Sequence, residues 1–568
     1  MEYALICVKT KKEGIMKPFR LMAAWTIASL SAFQLTWAQL DTARITRDRV
    51  AAAQELMGLE FTPEEQDSML ALLKEYRTSY DSLRKFSLPN SLSPVLVFDP
   101  IPSGFHFQPL AGKMQLGSVR SVKMPARLED LAFYSVRKLG ELIRTKQITA
   151  TALTKFFLER LKKYNPMLLG VVNLTEELAL KAAARADLEI AAGHYRGPLH
   201  GIPYGAKDIL SVKGYPTSWG SAIFKDQMLN EDATVIKKLY DAGAVLVAKT
   251  TVGELAWGDV WYGGITRNPW DTSQGSSGSS AGSASTVAAG CLPFAIGTET
   301  WGSIVSPSTR CGTTGLRPTF GRVSRTGAMA LSWSMDKIGP ICRTVEDCAI
   351  VFDAIHGPDG QDQAVRDYPF NYSPNIDLKK LRVGYLKKDM AKDTSEDAPF
   401  TQAALETFAK MGATLHAIEL PHLPISSLSF VLTAEAAAAF DEITRTNQDD
   451  RMVRQIKDAW PNYFRGSRFI PAVEYIQANR LRRMVIDDMA KLMDSIDVYI
   501  APAFEGDNLL LTNLTGHPCV VLPNGFTKEG HPVSLTFIGR LYDEATLLAV
   551  AKAYQDATDF HKKHPKGF

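Results

Sequence analysis

The sequence predicts an α/β protein with a largely parallel or mixed sheet, and three observations carry that expectation. "DATVIKKLYDAGAVLVAKT" reads as a helix running into a β-branched strand. "LRVGYL" followed by "TQAALETFAKMGATLHAIEL" gives a strand, a helix and a strand again. Strands alternating with helical patterns bury themselves as layers around a sheet rather than as a bundle or a sandwich. The composition agrees, with 45% hydrophobic and 22% charged residues over 568 positions. The net charge of +3 comes without a long basic block, which argues against nucleic acid or an anionic surface as partner.

From Met16 the chain reads "MKPFRLMAAWTIASLSAFQLTWAQLDTA". A basic start at Lys17 and Arg20, an apolar stretch from Leu21 to Leu35, and small residues at Thr36 and Ala38 form the pattern of a secretory signal cut after Ala38. Residues 1–38 are therefore expected to be a signal region, with Met16 a candidate start, and the mature protein to be secreted or periplasmic without stable membrane insertion. A membrane anchor is the alternative, but the stretch is short and carries Thr, Ser and Gln. Next, "ARITRDRVAAAQELMGL" and "TPEEQDSMLALLKEYRTSYDSLRKF" have helical spacing, the second opening on a Thr-Pro-Glu-Glu start signal. "SLPNSLSPVLVFDPIPSGFHFQP" is rich in Pro and turn residues. Residues 39–125 thus read as a helical extension and linker, and 126–568 as the main domain. "LEDLAFYSVRKLGELIRT" and "TATALTKFFLERLKKY" begin it as helices.

Cys291, Cys311, Cys342, Cys348 and Cys519 follow the signal. They are too sparse for a disulfide framework and read as small core residues, with a Cys342–Cys348 pairing left open. The His residues form no H-E-x-x-H and there is no C-x-x-C, so neither a metal nor a cofactor is expected.

The chemistry is concentrated in "SQGSSGSSAGSASTVAAG", Ser273–Gly290, and "GTETWGSIVSPSTRCG", Gly297–Gly312. A flexible linker would not run straight into a small-residue helix and then the apolar "CLPFAI". The Ser/Gly run therefore lies between elements inside a domain, where its backbone N–H groups crowd a site. Gly278–Gly282 matches G-x-S-x-G, but that nucleophile elbow needs a buried strand before it, and "TRNPWDTSQ" is no such strand. Ser82–Lys85 and Ser135–Lys138 fit S-x-x-K by chance on charged helices, with no S-D-N or K-T-G partner.

The block from Gly278 to Gly321, "GSSAGSASTVAAGCLPFAIGTETWGSIVSPSTRCGTTGLRPTFG", resembles the signature block of the amidase signature family, in its GTET-type subgroup with peptide amidases. Ser279 and Ser303 stand at that family's spacing for its two catalytic serines. "GIPYGAKDIL", "SMDKIGPICRTVEDCAIV" and "NLTGHPCVVLPNG" also resemble family segments in the expected order. The resemblance runs from about Leu128 to the C-terminus. It implies the amidase signature fold, a large mixed β-sheet core covered by helices on both faces, here with an N-terminal helical extension.

Amide hydrolysis needs a nucleophile, a proton shuttle and a site for the developing oxyanion. No His lies in these motifs. The resemblance implies Ser303 as nucleophile and Lys207 as base, relayed through Ser279, whose preceding peptide bond is cis in the family. Physically, Lys207 must then be neutral, and the apolar residues around it favour that by burial. Lys249 in "VLVAKTT" is the rival lysine. The backbone N–H groups of Thr300, Trp301, Gly302 and Ser303 are the implied oxyanion hole. Trp301 stands where many members have Gly, and its indole faces either the substrate or the packing behind the loop. Val305 replaces an Arg found in many members. The expected function is an exported amidase that cleaves a carboxamide through an acyl-enzyme without metal or cofactor. It would act on a small-molecule or peptide amide, as monomer or homodimer. The alternatives are a silent binding protein on the same scaffold and the catalytic subunit of a glutamine-dependent transamidase (amidotransferase A-type).

Overall fold

The computed structural model describes residues 45–107, 113–117, 119, 121–392, 396–504 and 506–568. The expected signal region lies outside them. The chain divides into two compact units after Pro89.

In the first unit, helix α1 spans Arg47–Met57 and α2 spans Pro63–Leu83. The start signal acts as a full capping box: the Thr62 side chain accepts from the Glu65 N–H, and Glu65 accepts from the Thr62 N–H at 2.7 Å. Gln66 ties the pair together by donating to Gln54 at 3.2 Å and to the Phe61 carbonyl at 3.0 Å.

The second unit is built on a sheet of eleven strands. In chain order they are β1 Val171–Leu174, β2 Pro203–Lys207, β3 Val245–Thr250, β4 Phe294–Glu299, β5 Thr314–Arg317, β6 Lys337–Cys342, β7 Arg382–Leu386, β8 Thr414–Ile418, β9 Val498–Pro502, β10 Cys519–Phe526 and β11 Pro532–Gly539. Their spatial order is β1-β3-β2-β4-β6-β5-β10-β11-β9-β7-β8. β2 pairs in parallel with β3 and β4, and β7 in parallel with β8 and β9. The remaining pairs are antiparallel, so the sheet is mixed.

Every residue of β2, β3, β4 and β6 is buried, which requires cover on both faces. Alternation along the strands divides them between two cores. Leu246, Phe294 and Ile296 join the larger one, while Val245, Val247 and Ala295 join a second one with helix α3, Ala150–Leu168. Helix α4, Ala281–Ala288, is buried along its whole length. Its small residues allow close approach, and their hydroxyls are satisfied: Ser283 Oγ lies 2.8 Å from Thr250 Oγ1 and donates to the Ile296 carbonyl at 3.1 Å.

One stretch differs from its pattern. "LEDLAFYSVRKLGELIRT" is not a single helix but a 3-10 turn at Leu128–Phe133 followed by a helix at Val136–Arg144. The break has a local cause: Ser135 caps the second helix by accepting from the Lys138 N–H at 3.2 Å. The residues before Gly278 form a partly buried two-stranded ribbon, Asp271–Gly275 against Arg267–Asn268, and not a central strand. All five described cysteines are buried and free. Among the described residues, no helix is long and apolar enough to cross a membrane, and no cluster of His, Cys, Asp and Glu could hold a metal ion.

Candidate active site

The site gathers at the ends of two parallel neighbours. β2 and β4 pair with Ala206 opposite Ile296, so Lys207 at the end of β2 stands beside Thr298 near the end of β4. The segment leading into α4 folds over this point. Its path contains Ser277 at φ +60°, a cis peptide bond between Gly278 and Ser279, and a contact only glycine permits, since a Cβ on Gly278 would stand 1.9 Å from the Gly258 carbonyl oxygen.

Lys207 is fully buried among hydroxyls. Its Nζ lies 2.8 Å from Ser279 Oγ, 3.1 Å from Ser280 Oγ, 2.8 Å from Thr298 Oγ1 and 3.3 Å from the Thr298 carbonyl. Among the described residues no carboxylate is within ion-pair distance. Burial therefore dominates and pulls Lys207 down to about 7, against weaker opposing pulls from Asp336 and Glu299. Near neutral pH such an amine accepts a proton from a neighbouring hydroxyl, as a general base must.

Lys249 differs in its partner. It is equally buried but pairs with Asp208 at 2.7 Å and donates to Thr217 Oγ1 at 2.9 Å. Asp208 also accepts from the Ser218 N–H at 2.9 Å and from the Ser218 hydroxyl. Next to each other in sequence, Lys207 and Asp208 end in separate networks.

Ser303 follows β4 by four residues and is 8% exposed. Its carbonyl accepts from the Ser280 N–H at 3.1 Å, which ties the loop to the turn before α4. The relay is joined at one end only. Lys207 reaches Ser279, whereas no hydrogen bond joins the Ser279 and Ser303 hydroxyls. Such contacts often close only with substrate present.

The loop Thr300–Ser303 leads into α5, Val305–Cys311. Glu299 Oε2 accepts from the N–H groups of Ile304 at 2.8 Å and Val305 at 2.9 Å. Its other oxygen accepts from Arg317 at 2.7 Å and from Asn513 at 2.8 Å, the latter on helix α7, Asn508–Leu514. Burial alone would raise this carboxyl, but the Arg317 charge and these donors outweigh it and hold Glu299 at about 2. Among the described residues the N–H groups of Trp301, Gly302 and Ser303 have no protein acceptor, so they remain available to a ligand oxygen. Gly302 sits at φ +88°, where a Cβ would come within 3.0 Å of Ser306 Oγ and 3.2 Å of Leu509. Trp301 is 45% exposed, outside the core.

Sequence reasoning missed several residues here. Thr298 and Ser280 hold Lys207, and Glu299, Arg317 and Asn513 hold the loop. Asp336 accepts from Thr300 Oγ1 at 2.6 Å and from the N–H groups of Leu331 and Ser332 at 2.8 and 3.0 Å. Burial raises its carboxyl, opposed by those hydrogen bonds. Its position in "SMDKIGP" was visible. Its partner was not, because the antiparallel register that sets Lys337 opposite Glu299 is what brings Asp336 to Thr300.

The family model described as Amidase matches residues 152–509. The chain belongs to the amidase family. It is 33% identical over 482 residues to the A-type subunit of glutamyl-tRNA(Gln) amidotransferase from Coxiella burnetii (strain RSA 493 / Nine Mile phase I), covering 76% of this chain and 99% of that one. The protein of the same name from Chloroflexus aggregans is 34% identical over 489 residues, covering 77% of this chain and 99% of the relative. Among solved structures, native peptide amidase from Stenotrophomonas maltophilia superposes with a TM-score of 0.68 at 30% identity, over 75% of this chain and 97% of that one. This amidase is thus an enzyme of amide C–N bonds on the amidase signature fold.

Proposed function

We propose that this amidase cleaves a carboxamide through an acyl-enzyme on Ser303. Neutral Lys207 draws a proton from Ser279, which draws one from Ser303 as its oxygen attacks the carbonyl carbon. The N–H groups from Thr300 to Ser303 receive the oxyanion. Collapse breaks the C–N bond, and the proton held on Lys207 returns through Ser279 to the departing ammonia or amine. Water then enters by the same relay and releases the acid. The observation that carries this reading is a fully buried lysine bonded to Ser279 and, among the described residues, with no carboxylate partner. Purified protein assayed for ammonia with peptide amides, aryl amides, fatty amides and glutamine tests it, and the reading fails if no amide is consumed.

The names of the curated relatives favour a second reading over the free-standing hydrolase. As an amidotransferase of the A type, the chain would take its acyl group from glutamine and hand the ammonia to a partner protein. Glutamine consumption that appears only when the partner proteins of an amidotransferase and charged tRNA are added would establish it. The signal-like segment ending at Ala38 favours the hydrolase, because a tRNA substrate is cytosolic. We propose on that ground that the protein is exported.

A further inference from the structure

Residues 90–107 carry no helix or strand and precede the stretch matched by the family model, residues 152–509. They are nevertheless fastened to the second unit at both ends. The Asn90 side-chain amide pairs with the Ala330 backbone, its Oδ1 accepting from the Ala330 N–H at 2.7 Å and its Nδ2 donating to the Ala330 carbonyl at 2.8 Å. Further along, the Phe98 ring lies 3.7 Å from the Arg482 guanidinium carbon, on helix α6, Ala472–Ser495. Asp99 pairs with Arg366 at 2.6 Å, and Arg483 donates to the Ile101 carbonyl at 3.3 Å and to Ser103 Oγ at 2.9 Å.

Between these anchors Ser91 and Ser93 line a cavity of about 320 Å³ together with Thr298, Thr300 and Asp336. Thr298 is bonded to Lys207, and Thr300 opens the loop with the free N–H groups. Ile209, Leu331 and Ile338 supply apolar wall. Of the charged groups in the lining, Arg325, Asp362, Asp336 and Lys337 are already engaged, whereas Glu231 is exposed. Arg325 forks onto Asp362 at 2.8 and 3.0 Å, Asp336 accepts three hydrogen bonds, and Lys337 donates to the Met335 carbonyl. A ligand group entering this space finds little room, since binding pockets begin at about this volume.

We propose that the strap from Asn90 to Ser103 is a specificity wall of the substrate pocket, pinned by Asn90 and bounded by Ser91 and Ser93, which restricts the enzyme to amides bearing a compact group. The inference rests on the reading of Ser303 as nucleophile. It is tested by kcat/KM for propionamide, benzamide and 2-naphthamide in wild type, Ser93→Trp and Asn90→Ala, with melting temperatures recorded. Ser93→Trp is expected to lower the benzamide-to-propionamide ratio by about tenfold, and Asn90→Ala to raise the naphthamide-to-propionamide ratio at least threefold. Unchanged ratios in both variants, folded as wild type, overturn the strap. Ser93→Leu replaces Ser93→Trp if the larger residue prevents folding. If wild type consumes no amide, the catalytic reading has failed, and the strap is judged by calorimetric binding of benzamide. Affinity about tenfold weaker in Ser93→Trp supports it, and equal affinity, or no binding to wild type, overturns it.

Discussion

Lys207 is where pH enters the chemistry. With its amine pulled down to about 7, kcat/KM is expected to rise roughly tenfold per pH unit in acid and level off above neutrality, because only the neutral amine accepts the Ser279 proton. Glu299, held at about 2, stays ionised throughout that range. The sign for stability follows from the same shift. Between about 7 and 10.5 the unfolded chain holds a proton on this lysine that the folded chain does not, so this group makes stability increase with pH there. A flat activity profile from pH 5 to 9 would contradict the assignment of the base. Ser303→Ala is expected to lose many orders of magnitude in kcat while melting as wild type, and activity within tenfold of wild type would point instead to Ser280, the serine of the Gly278–Gly282 match. Trp301→Gly tests the exposed indole. Since the side chain lies outside the core, little stability should be lost. If it contacts substrate, the ratio of kcat/KM for a bulky and a small amide should shift by about ten- to two-hundredfold, and an unchanged ratio removes it from the site.

At the scale of elements, two buried charge pairs hold the ends of the strands that present the site. Lys249 and Asp208 join the ends of β3 and β2, and Arg317 and Glu299 join β5 to β4. Removing one partner of such a pair leaves a buried charge uncompensated, which costs roughly 3–5 kcal/mol. Lys249→Ala is therefore expected to lower the melting temperature markedly, and its activity should fall with the folded fraction. A folded but inactive Lys249→Ala beside an active Lys207→Ala would reverse their roles. Glu299→Gln should likewise melt lower. Glu299 titrates near 2 when folded and near 4.5 when unfolded, so the stability it contributes is complete above 4.5 and is lost as pH falls toward 2. Acid unfolding of Glu299→Gln should lack that component, and identical acid transitions in the two proteins would show that the carboxylate does not hold the loop.

For the whole molecule, the N-terminus decides between the two fates of the amide nitrogen. N-terminal sequencing of the native protein is expected to begin near Gln39, outside the cytoplasm. A mature form retaining Lys17–Leu35 would mean an anchor or a cytosolic enzyme and would strengthen the transamidase reading. Much of the molecule was legible before folding. Periodicity placed α1, α2, β3, β7 and β8, because helix and strand patterns and caps such as Thr62 act over a few residues. The resemblance of several motifs, in order, to the amidase signature block is what pointed to Lys207, Ser279 and Ser303. Other features required the tertiary structure, since they depend on groups far apart in sequence. Sheet register brought Asp336 to Thr300. Burial and partner choice left Lys207 without a carboxylate among the described residues while Lys249 took Asp208, although both lysines follow apolar strand residues. Packing made a stretch that reads as linker into a strap over the cavity beside the loop. Local sequence encodes local hydrogen bonds and the face a side chain takes, whereas register, desolvation and the choice among distant charges are set only when the sheet closes and water leaves.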